Sequence, residues 1–137
     1  MAEDTYRYEH GLTLREGVEP RADTGKPRIE VDLEQVEILA AQGLSLEQIA
    51  ASVGINVKTL VDRRDRYVEY SEALKRGKAR GIAAVSNALF TSATRGNVTA
   101  QIFFLKNRAP EEWKDRREHG VDMGAIQINI DSDDADL

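Results

Sequence analysis

From residue 31 onward, apolar positions recur with a helical period. Leu33, Val36, Ile38, Leu39 and Ala40 share one broad face, which predicts an amphipathic helix with Asp32 as N-cap, Gln35 three positions on and Gly43 as its stop. Ser45 and Gln48 have the spacing of a capping box, and Leu46, Ile49, Ala50 and Val53 line a second short helix closed by Gly54. Asn56 caps a third, with Leu60 inward beside Val57 or Val61. Residues 1–28 lack sustained periodicity and contain Gly11, Gly17, Pro20, Gly25 and Pro27, the pattern of a flexible arm.

From Tyr67 to Arg95 there is no proline, and two apolar stripes run along one long helix. Leu74, Ile82, Val85 and Leu89 form the first; Ala79, Ala83, Ser86 and Phe90 form the second. So small a chain cannot cover both, so one stripe meets another subunit or packs on the helix that follows. Gly96-Asn97 is the punctuation of a helical hairpin, a C-cap glycine followed by an N-cap asparagine. Val98, Ile102 and Leu105 are the inner stripe of the returning helix, widened by Phe103 and Phe104 and ended at Ala109-Pro110. Trp113, in the charged run 111–117, is expected to anchor that run on the hairpin. Ala125 to Ile130 then alternates apolar and polar residues in a strand pattern. A lone strand leaves its backbone groups unpaired, so Ile126, Ile128 and Ile130 either pair with symmetry copies or belong to a tail with a chance alternation.

Composition narrows the chemistry. The chain has 137 residues, 31% of them charged and 41% hydrophobic, with no cysteine; disulfides, thiol nucleophiles and thiolate metal sites are excluded. His10 and His119 have no partner at metal-ligand spacing, and the acidic cluster Asp131, Asp133, Asp134, Asp136 lacks the glycine and ordering of a calcium loop. No phosphate-cradling glycine loop, serine elbow or carboxylate pair of known spacing occurs. The expectation is therefore a protein that is not an enzyme and takes no cofactor and no metal. No segment is long and apolar enough for a membrane span, and the first ten residues lack the features of a secretion signal, so a cytoplasmic location is expected. Net charge is -5, but residues 118–137 carry six acids and no Lys or Arg, which leaves +1 for residues 1–117. Between Asn56 and Arg80, eight basic residues face four acids. A basic middle with an acidic end fits nucleic-acid contact at one place and another task elsewhere.

The stretch LEQIAASVGINVKTLVDRRD, residues 46–65, has the requirements of a helix-turn-helix. Ala50 is small where the helices approach, Gly54 tolerates positive φ at the turn, and Ile49, Val53, Ile55 and Leu60 hold the pair together. The helix over 33–42 would support them. On the second helix Asn56, Val57, Lys58, Thr59 and Asp62 are candidate DNA-facing residues, with Arg64 and Arg66 reaching phosphates. Arg63 occupies a position usually apolar, and Asp62 and Asp65 oppose phosphate approach, so a single subunit is expected to bind weakly.

Three pieces, the helix-turn-helix SLEQIAASVGINVKTLVDRRD, its continuation YVEYSEALKRGKARG, and the run IFFLKNRAPEEWKDR, give roughly residues 31–130 a pattern that resembles the small terminase subunits of tailed bacteriophages. The last is the most specific, since helix chemistry does not demand that order. GAIQINI is similar to a terminal strand that in some members joins its symmetry copies in a barrel; Arg63 is the main departure. The fold so implied is mainly α: an arm at 1–28, a helix-turn-helix domain at 29–67, a central antiparallel helical hairpin for oligomerisation at 68–118, and a strand with an acidic tail at 119–137.

The resemblance implies a subunit that recognises viral double-stranded DNA to initiate packaging and regulates the ATPase and nuclease of a large terminase subunit. It would work in the cytoplasm of an infected bacterium, as a ring of about eight to ten subunits. Ile82, Val85, Leu89, Phe90, Phe103, Phe104, Ile126, Ile128 and Ile130 are the candidate oligomerisation residues, and the acidic tail would either reach the large subunit or keep the ring in solution. Two other readings stay open: a phage or prophage helix-turn-helix transcription regulator, and a scaffold whose helices contact only protein.

Overall fold

A computed structural model describes residues 7–115. These residues are mainly helical, with six helices and a small two-stranded sheet. The chain divides into two compact units, Met1–Val85 and Ser86–Leu137.

In the first unit, β1 (Tyr8–Glu9) and β2 (Leu12–Thr13) pair antiparallel, Tyr8 opposite Thr13 and Glu9 opposite Leu12. The two-residue connection His10-Gly11 has positive φ at both positions, 53° and 75°, the geometry that matches the twist of a tight hairpin. Periodicity did not reveal these strands, because two residues each are too few for an alternation to register. Leu14, just beyond, is buried and forms an isolated bridge to Tyr67. The expected arm thus contributes to the core.

The three short helices follow their caps. α1 (Leu33–Ala41) starts at Asp32, whose side chain accepts from the Glu34 N–H, one position earlier than a capping box with Gln35 would have it. α2 (Leu46–Val53) carries the full Ser45–Gln48 capping box and ends at Gly54, which has φ 81°. α3 (Val57–Arg66) starts at Asn56, whose side chain accepts from the Lys58 N–H at 2.8 Å. Val36, Ile49 and Leu60, one from each helix, are the largest fully buried side chains. Around them close Leu39, Ala50, Ile55, Tyr67, Tyr70 and Ala73.

Tyr67 alone is extended (φ -114°, ψ 131°) between α3 and the long helix α4 (Val68–Thr94). Within the first unit, α4 runs against the end of α1. A Cβ at Gly77 would fall on the Glu37 carbonyl oxygen and 2.6 Å from the Ala40 Cβ; at Gly81 it would meet the Ala41 backbone. Two glycines four apart thus let the helix backbones touch. Glu37 lies between the guanidinium groups of Arg76 (Nε, 3.4 Å) and Arg80 (Nη1, 2.7 Å); the latter approach is an ion pair without hydrogen-bond geometry.

The second unit holds the end of α4, α5 (Val98–Arg108) and the short α6 (Pro110–Trp113). Gly96 has φ 105°, and Asn97 caps α5 by accepting from the Ala100 N–H at 3.0 Å. Gln101 donates to the Ala93 carbonyl at 2.9 Å, and Phe90 meets Phe104 edge-on at 5.7 Å. Phe90, from the second stripe of the long helix, therefore packs partly on the helix that follows. Trp113, at the end of α6, is about half exposed, and Lys106 pairs with Asp115 at 3.2 Å. The expected strand with Ile126, Ile128 and Ile130 lies outside the described residues.

An alanine inside a helix is ordinarily about 1 kcal/mol better than glycine. At Gly77 the sign should reverse: Gly77→Ala is expected to lose about 2 kcal/mol, because the methyl has backbone in its way. Urea unfolding of Gly77→Ala beside an alanine at an exposed helical position checks this. A midpoint that rises in both would contradict the close helix contact.

Candidate nucleic-acid interface

α1 and α2 mount α3 through the shared core of Val36, Ile49 and Leu60, and its N-terminal turn is at the surface. Asn56 and Lys58 are exposed, while Val57 and Thr59 are half buried. Asn56 spends its side-chain oxygen on the cap, so its amide group remains for a ligand.

The other predicted residues have partners the sequence did not reveal. Asp62 is gripped by both Nη atoms of Arg21, each at 3.0 Å. An acid expected to repel phosphate is thereby neutralised. Arg64 is half buried, and its Nε donates to Asp65 at 3.1 Å.

Arg66 corrects the sequence reading most sharply. Its side chain is 9% exposed, pairs with Glu9 and donates to the Glu19 carbonyl. Burial works against its charge, but the hydrogen bonds to Glu9 and Tyr67 and their negative potential hold its pKa above the ordinary arginine value. A guanidinium so committed fixes the N-terminal segment and is not free for a phosphate.

Arg63, the departure from the usual apolar residue, is interior too. It is 7% exposed, donates to Tyr70 Oη at 3.1 Å and lies over the Tyr70 ring. Its aliphatic stem fills the core position and the head meets an aromatic face. The N-terminal segment is tied to the same corner by further contacts. Both Glu69 carboxylate oxygens accept from the Thr13 N–H, and the Arg15 N–H donates to the Arg66 carbonyl at 2.8 Å. Arg28 caps the Tyr67 ring and donates to its hydroxyl at 3.3 Å.

Of the site residues that sequence reasoning missed (Glu9, Arg21, Arg28, Tyr67 and Tyr70), only the hairpin before them had a local signal, the His10-Gly11 turn. The rest are set by tertiary contact.

Among the described residues, the candidate oligomerisation positions of α4 and α5 remain largely uncovered. Val85 is 70% exposed, and Ile82, at the same end of the first unit, is also exposed. In the second unit Phe90 and Phe103 are exposed, Leu89 and Phe104 half buried, and Val98 and Ile102 add exposed apolar surface. Among the described residues no helix is long and apolar enough to cross a membrane, and no group of three or more His, Asp or Glu side chains could hold a metal ion. Comparison with protein-family models, curated proteins and solved structures finds no match for this chain.

The two ion pairs that hold the N-terminal segment should differ in weight. Glu9→Gln leaves the Arg66 charge buried and uncompensated, at an expected cost of about 3 kcal/mol. Arg21→Gln breaks an exposed pair and should cost less than about 1 kcal/mol. Chemical denaturation of both variants reads the difference, and equal losses would contradict the burial of the Glu9–Arg66 pair.

Proposed function

We propose that the chain is a DNA-binding recognition subunit that acts as a homo-oligomer, the small terminase subunit of a phage packaging motor. One observation carries the DNA reading. α3 is entered from α2 through Gly54 at positive φ, with its first turn at the surface and its base locked to Val36 and Ile49. A rigidly mounted helix with an exposed N-terminal turn is the element that a helix-turn-helix lays in the major groove. Asn56 and Lys58 are then the base-edge candidates, with Thr59 beside them and Val57 at the margin. Arg64 reaches a phosphate by exchanging Asp65 for it. Asp62 and Arg66 have structural roles through Arg21 and Glu9.

The assembly half of the reading draws on the uncovered apolar residues of α4 and α5, which a neighbouring copy would bury. Modules that bind weakly alone gain affinity when a ring presents several to one DNA, by roughly 10²–10⁴. The run IFFLKNRAPEEWKDR links this architecture to the terminase resemblance, and with it to viral DNA and a large terminase subunit as partners.

DNA contact is tested by a salt series with a fluorescent duplex. Lys58→Ala combined with Arg64→Gln should weaken binding to every sequence and flatten the log–log salt slope by about 2. Isotherms identical to those of the unmodified chain at each salt concentration would remove α3 from the interface.

Assembly is tested by light scattering. The unmodified chain should run at several times its 15.3 kDa. Phe103→Asp should lower that mass without loss of helical signal, because an unpaired charge is costly in an apolar interface. A monomer for the unmodified chain would overturn the assembly.

A further inference from the structure

A cleft of about 440 Å³ opens between residues 21–29 and α3. Its cations do not balance locally. Arg66 is taken by Glu9 and Arg21 by Asp62. The Asp23 carboxylate turns back to accept the Gly25 N–H at 2.9 Å. Lys26, Arg28 and Arg63 remain on the wall, and among the described residues no carboxylate forms an ion pair with any of the three.

Arg63 is the telling one. Its guanidinium has five N–H donors, and one goes to Tyr70 Oη. The residue is more than nine-tenths buried, where a charge without a counter-ion is expensive. The Tyr70 ring beneath it offsets part of that cost and is itself steadied by Tyr67, 6.1 Å away. Arg28 has the matching arrangement on Tyr67: one donor to the hydroxyl and the guanidinium carbon 5.1 Å from the ring centroid. Two guanidinium groups are thus fixed by aromatic rings instead of acids, with most of their donors uncommitted. Thr59 lines the same cleft.

We propose that this cleft binds a tetrahedral phosphate-type oxyanion, with Arg63 as its floor, Arg28 and Lys26 as its outer donors and Thr59 as a neutral donor. Planar forks of donors in fixed orientation favour phosphate oxygens over a spherical anion such as chloride. The anion supplies the charge that the buried Arg63 lacks. The cleft would take such a group whether or not the first turn of α3 reads DNA. The group can be a free phosphate compound or a backbone phosphate of a nucleic acid.

The experiment is calorimetric titration of the full chain with inorganic pyrophosphate at constant ionic strength set by chloride. Saturable binding in the millimolar range or tighter is expected. Arg28→Gln should weaken it about tenfold, and Arg28 is half buried outside the helical core, so this variant keeps its fold, checked by its helical signal. Arg63→Lys, which keeps the charge but loses the fork, should weaken it as well. Unlabelled duplex DNA that displaces pyrophosphate identifies a backbone phosphate as the occupant; pyrophosphate that stays bound beside DNA identifies a free phosphate compound. Absence of saturable heat up to about 50 mM pyrophosphate, or unchanged affinity in Arg28→Gln, overturns the proposal. Neither result bears on the contacts of Lys58.

Discussion

Between α3 and α4 a single residue, Tyr67, leaves the helical conformation, and the first unit is organised around that break. Its extended backbone bridges to Leu14, its ring is buried, and Arg28 lies over it. The break lets α4 turn back toward α1, where Gly77 and Gly81 permit backbone contact. It also opens the edge onto which the N-terminal hairpin folds, with the Arg15 N–H on the Arg66 carbonyl. At the break the Tyr67 N–H donates to the Arg63 carbonyl and the Tyr67 carbonyl accepts from the Ser71 N–H, so the N-terminal segment adds its bond one residue earlier, on Arg66.

That arrangement divides the arginines of α3 by role. Arg63 and Arg66 turn inward to tyrosine rings and to Glu9, and Arg64 stays near the surface. The basic composition of the helix therefore overstates the positive charge on its outer face. Its acidic character is overstated too, since Asp62 is matched by Arg21. What faces outward at the start of α3 is nearly neutral apart from Lys58.

The helical part of the fold was legible because its signals are local. Asp32, Ser45 with Gln48, Asn56, and Gly96 with Asn97 each act within four residues, and each occupies the terminus expected of it. Gly77 and Gly81 were present in the sequence, but their meaning depends on α1, about forty residues away in the chain, and only tertiary structure supplies it. The same holds for Arg66: a basic residue late in such a helix suggests a phosphate contact until Glu9, 57 positions earlier, is found beside it. Of the candidate site, the start of α3 was readable from Asn56 and Lys58. The cleft was not, because it is built from two segments that no periodicity connects.

Central to all of this is that residues 8–15 fold as one body with α3. Native-state hydrogen exchange measures it directly at the Arg15 amide, bonded to the Arg66 carbonyl, and at the Leu14 amide, bonded to the Arg7 carbonyl, each at 2.8 Å. Both should open with a free energy within about 1 kcal/mol of that of Leu60 in the centre of α3. Exchange of Leu14 and Arg15 at the rate of an unstructured peptide, while Leu60 stays protected, would contradict it.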